Sequence, residues 1–72
     1  MQDWNEKATR LLRTEMMLSG VRYAELAERL EGMGEPETVA NLRNKLSRGS
    51  FTAAFFIKCL AALNVKMLRL DE

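Results

Sequence analysis

Apolar residues recur along this chain at intervals of three and four, and the rhythm breaks in four places. The breaks are Gly20, residues 32–36, residues 49–52 and Asn64. Intervals of three and four place side chains on one face of a helix. Glycine, proline and asparagine end such runs. The pattern therefore predicts four helical stretches and a short tail.

The first stretch spans about residues 3–18. Trp4, Ala8, Leu11, Leu12 and Met16 mark its buried face, and Asp3 is placed to cap it, with Glu6 at capping-box spacing. Gly20 suits the left-handed position after it. In the second, "RYAELAERLEG", Tyr23, Leu26, Ala27 and Leu30 share a face. Glu25 and Arg29 have the favourable i, i+4 order, and Gly32 is the predicted stop. The third covers about residues 36–48, with Pro36 at its first position and Gly49 after its last. Val39, Leu42 and Leu46 are its inward residues. The fourth follows Thr52 as N-cap. Its "AAFFIKCLAAL" is apolar almost all round, so it belongs at the centre of the fold, and Asn64 ends it. The tail "VKMLRL" fits either a short strand or a fifth helical turn. The expected fold is all-α, one domain over residues 1–72, a compact bundle of four to five short helices.

Composition narrows the chemistry. The 72 residues include one cysteine and no histidine, so an internal disulfide is impossible and no metal site is expected. Cys59 reads as a small core residue. Glu25 and Glu28 fall on the outer side of the second stretch, without a nucleophile or histidine, so no enzymatic activity and no cofactor are expected. Met16, Met17 and Met33 read as core and turn packing, and Phe55 and Phe56 as core rather than a base-stacking platform. No apolar run approaches membrane-spanning length, and the charged start is unlike a secretory signal. The expected compartment is the cytoplasm. Apolar residues reach 47%, high for so small a domain, which points to a further buried surface between two copies. The first stretch and the tail are the two candidates for it.

The formal net charge is only +1, but it is unevenly laid out. Residues 1–37 carry five basic and eight acidic side chains. Residues 38–70 carry six basic and no acidic ones. That asymmetry draws attention to "TVANLRNKLSRG", residues 38–49. At 100° per residue, Asn41, Asn44, Lys45 and Arg48 cluster roughly opposite Val39, Leu42 and Leu46. Asparagine presents the donor and acceptor pair that matches adenine in the major groove, and lysine and arginine match guanine edges or phosphates. Thr38 lies at the helix start, where base edges are commonly met. A solvated polar face is the plainer reading of the same residues. The absence of acid and the neighbouring elements weigh against it.

Those neighbours carry a resemblance. "VRYAELAERL", with Ala27 at the small-residue position, "TVANLRNKLSRG", and "FTAAFFIKCLAALNV" together resemble the lambda-repressor-like (Cro-type) helix-turn-helix domains over residues 18–65. The chain is also similar to a narrower group of short bacterial proteins sharing the outline "YAELAERL…NLRNKLSRG.F.AAFF..CL.ALGV..LRL". The resemblance implies a small DNA-binding transcriptional regulator, acting as a homodimer. It makes the third helix the recognition helix, with Thr38, Asn41, Asn44 and Lys45 at base edges. Arg22, Tyr23, Arg48, Ser50, Thr52 and Lys58 would then hold phosphates.

The chain also departs from that pattern. Tyr23 stands where the family has a glutamine that contacts a phosphate. It has a hydroxyl to offer instead, or a ring to bury. Arg22 replaces the usual Thr or Ser cap, and Ser47 replaces a glutamate. The turn "EGMGEPE" is longer than the family's, and acidic. These departures define the alternative, a protein-interaction module of the antitoxin or anti-repressor kind that keeps the fold without DNA binding.

Overall fold

A computed structural model describes residues 3–71, and among them there are four helices and no strand. The helices are α1 (Trp4–Ser19), α2 (Tyr23–Gly32), α3 (Val39–Arg48) and α4 (Ala53–Ala62). Both α1 and α2 pack on α3 and on α4. A single apolar cluster joins them, with Leu12, Leu26, Leu30, Leu42, Leu46 and Cys59 fully enclosed. The all-α bundle expected from the sequence is the fold observed.

Local chemistry explains most helix ends. The Asp3 carboxylate accepts from the Asn5 and Glu6 amides, and Gly20 closes α1 at φ 69°. The Thr52 hydroxyl accepts from the Phe55 amide, and Asn64 ends α4 at φ 59°. Arg22 makes no side-chain cap bond to α2. At Gly49 two demands coincide. Its φ of 69° disfavours any side chain, and a Cβ there would collide with the Asn5 carbonyl and approach Thr9 Oγ1 to 2.8 Å. The Thr9 hydroxyl, buried, donates to the Leu46 carbonyl at 2.6 Å. Together these fasten the end of α3 to α1.

The structure corrects several details. Trp4 is 71% exposed, because the enclosed part of α1 begins further along at Thr9, Leu11 and Leu12; Lys7 lies over its ring. Met17 is also exposed, one residue past the buried stripe that ends at Met16. Gly32 is helical and Gly34 takes the left-handed position at φ 78°. The Gly34 and Glu35 amides then donate back to the Glu31 and Leu30 carbonyls, the double closure of a Schellman turn. Pro36 lies outside α3: the Thr38 hydroxyl accepts from the Asn41 amide at 3.0 Å, and that cap sets the start three residues later than the proline. The tail is neither strand nor helix. It turns back along α1, where Met67 and Arg69 share a cleft with Leu11 and Leu18. No helix among the described residues is long and apolar enough to cross a membrane.

Candidate nucleic-acid interface

Leu42 and Leu46 anchor α3 with no exposed surface. That fixes the rotation of the helix. Asn41, Asn44, Ser47 and Arg48 are exposed, while Val39 and Lys45, on opposite edges of the buried stripe, are half-buried. Every exposed polar side chain on this face is neutral or basic, since residues 39–48 contain no acid.

The predicted residues do not form one continuous stripe. They divide among an outer ridge and three clefts. Lys45, Arg48, Ser50 and Thr52 meet where the end of α3 approaches the start of α4, in a cleft of about 270 Å³ with Phe51 and Phe55 as its apolar wall. The Thr52 hydroxyl accepts from the Phe55 amide and so caps α4, whose N-terminal end favours negative charge nearby. Arg22 and Tyr23 lie on the other side of α3, in a cleft of about 520 Å³ that also takes Arg13 from α1 and Arg43 from α3. The Arg43 guanidinium carbon sits 5.6 Å from the centre of the Tyr23 ring. Thr38 and Asn41 line a third cleft, of about 320 Å³, together with Glu31 and Glu37. Asn44 stands on the ridge.

Charge pairing separates these places further. Lys45 Nζ lies 2.7 Å from a Glu37 carboxylate oxygen and 4.7 Å from the Phe55 ring centre. Lys58 lies 3.6 Å from Glu35 and does not join the cleft that holds Arg48. The acidic turn is thus bound up with two of the cations assigned to DNA. Arg29 is also committed: it grips Glu25 at 2.7 Å and donates to the Ala62 carbonyl at 3.0 Å, tying α2 to the end of α4. By contrast, Arg13, Arg22, Arg43 and Arg48 have no carboxylate partner among the described residues.

Sequence reasoning missed Arg13 and Arg43. Arg43 follows Val39 by one helical turn, a spacing that was legible. Arg13 comes into place only because α1 and α2 both pack on α3, and no local signal announces that. Cys59 is enclosed, and burial pushes its thiol up to about 11, with Glu37 adding to the rise and Lys58 and Lys45 opposing it. No group of metal-ligating side chains occurs among the described residues.

The chain is, in class, a small helical domain with arginine-lined clefts on both sides of α3. It belongs to the family described as "Domain of unknown function (DUF6471)", which matches residues 4–68. No curated protein and no solved structure matches it.

Proposed function

We propose that this protein is a small DNA-binding transcriptional regulator, with α2 and α3 as a helix-turn-helix and α3 in the major groove. The observation that carries the reading is that α3 itself holds no acid and has clefts with unpaired arginines on both sides. Asn44 and Asn41 would read base edges, with Thr38 and Lys45 at the margins of the same face. Arg48, Ser50 and Thr52 would hold the backbone on one side of the groove, and Arg22, Tyr23 and Arg43 on the other. Lys58 is the weakest member of the set, being held by Glu35.

The regulator would act as a homodimer. The two surfaces that the sequence offers for self-association, the first helix and the tail, are neighbours in the fold. Leu18 and Met67 line one cleft and are 73% and 85% exposed. A two-fold pairing would place two copies of α3 about 34 Å apart.

One observation favours the alternative of a protein-interaction module. Glu37 and Glu35 already occupy Lys45 and Lys58, as an acidic partner segment would. The test is fluorescence anisotropy with random-sequence duplex over a salt series. A DNA reader binds nonspecifically at roughly 10⁻⁴–10⁻⁶ M and weakens steeply as salt rises. Arg48→Ala and Arg43→Ala should each lower the affinity and flatten the salt slope. Absence of binding by the folded protein at low salt would leave the interaction module in its place.

A further inference from the structure

We propose that the cleft between the start of α2 and the first turns of α3 binds a small organic anion, a ring-bearing carboxylate or phosphate. Its volume, about 520 Å³, falls within the range of small-molecule sites. Three arginines line it from three separate places: Arg13 on α1, Arg22 before α2 and Arg43 on α3. None has a carboxylate partner among the described residues. Guanidinium is the side chain best matched to a planar or tetrahedral oxyanion, because it offers paired donors in a fixed fork.

The rest of the lining says what the anion carries. Met16, Val21 and Val39 give the cleft an apolar floor, and the half-buried Tyr23 ring forms a wall under Arg43. A backbone phosphodiester needs a cationic rim and gains nothing from such a floor. An amphiphilic anion uses both parts: its oxyanion meets the arginines while its ring displaces water from Met16, Val21 and Val39. The opposite cleft makes the distinction visible. There Ser50 and Thr52 stand beside an apolar wall of Phe51 and Phe55, but Lys45 is already held by Glu37, so Arg48 alone is left to meet an anion.

This inference does not require the DNA reading. If both hold, they are linked. Arg22, Tyr23 and Arg43 serve in each, so a bound anion would take them from the duplex and act as an inducer.

The test is an amide-resolved NMR titration of the full chain, without DNA, using 2-naphthoate. Two controls split its chemistry: 2-naphthalenemethanol has the ring without the charge, and inorganic phosphate has the charge without the ring. Saturable shifts should cluster on residues 21–25 and 39–43, with a Kd at least about tenfold tighter than for either control. Arg43→Gln should weaken naphthoate binding by about tenfold, the loss of a charge-assisted contact. Arg13→Gln should do the same from α1, a different helix, so a folding defect in one variant leaves the other decisive. Shifts that spread over Leu18 and Met67, or that fail to saturate, would overturn the proposal. Phosphate binding as tightly as naphthoate would overturn it too, and return the cleft to backbone contact. Adding duplex to the complex then reads the linkage: competition supports a shared surface, and independent binding of both removes the inducer role.

Discussion

The two flanks of α3 use cations in opposite ways. On the α2 side, Arg13, Arg22 and Arg43 line one cleft with an apolar floor and have no carboxylate partner among the described residues. On the α4 side, Lys45 is drawn down against Phe55 and held by Glu37, whose side chain is only 14% exposed, leaving Arg48 as the unpaired charge. A tally along the chain predicts the reverse, since it assigns residues 38–70 all the excess positive charge. The lesson is that availability matters more than count. An acid distant in sequence can neutralise a cation, and an arginine from an acidic half of the chain can be free. Arg13 belongs to the half that carries eight acids, yet it sits in the least opposed cluster.

The largest effect should come from the residue both flanks depend on. Leu46 is fully enclosed, and its carbonyl receives the Thr9 hydroxyl. Leu46→Ala should cost about 2–5 kcal/mol. Total stability for a chain of this size is only about 4–11 kcal/mol. Chemical denaturation followed by circular dichroism should show the midpoint falling accordingly. A variant as stable as its parent would mean that α3 is not held at this point and that neither flank is fixed.

Beneath the α4 flank, Cys59 reports whether the packing is closed. Burial raises its thiol from 9.0 to about 11. At pH 8 the thiolate fraction should therefore be about a hundredfold below that of an ordinary cysteine. Labelling by a disulfide reagent should be slow in the folded protein and immediate in denaturant. The same shift sets a pH dependence. The folded state keeps its proton where the unfolded chain has lost it, so this contribution is intact below pH 9 and disappears as pH rises toward 11. Fast labelling of the native protein would show that the flank opens.

Most of the fold was legible in the sequence because its signals are local. Asp3, Gly20, Thr52 and Asn64 cap where their chemistry requires, and the apolar spacing located the faces of α2 and α3. The errors lie where two local signals compete or where tertiary placement decides. Pro36 and Thr38 both suit a helix start, and the side-chain cap prevailed. Gly32 and Gly34 both suit a stop, and the second allowed the double closure back to Glu31 and Leu30. Trp4 fits the helical spacing but lies before the enclosed part of α1 begins. The candidate site was legible only in part. Asn41, Asn44 and Arg48 face outward as their spacing implies, whereas the engagement of Lys45 by Glu37 and of Lys58 by Glu35 depends on where the long turn folds.

The comparison between flanks sharpens in the salt dependence of duplex binding. Each phosphate contact contributes a slope of about 0.9 in log affinity against log salt. Arg43→Ala and Arg48→Ala should each reduce the slope by about one and weaken binding uniformly across sequences. Lys45→Ala should do distinctly less, because its charge is already balanced by Glu37. Equal effects of Lys45→Ala and Arg48→Ala would mean that the Lys45–Glu37 pair breaks on binding, and the two flanks would then be equivalent in the complex.

The smallest and most direct change is Glu37→Gln. It keeps the size of the side chain and removes the charge that holds Lys45. With Lys45 43% exposed, the pair is screened by water on one side, so its loss should cost less than about 1 kcal/mol of stability. Its effect on DNA should have the opposite sign: the α4 flank gains a free cation and loses an anion near Thr38 and Asn41, so duplex affinity should rise several-fold and the salt slope should steepen. Lys45→Ala placed on top of Glu37→Gln should cancel that gain, since the two residues act through one pair. A Glu37→Gln variant that binds duplex no better than its parent would show that the turn is a neutral strut. The difference between the flanks would then lie in their shape rather than in their charge.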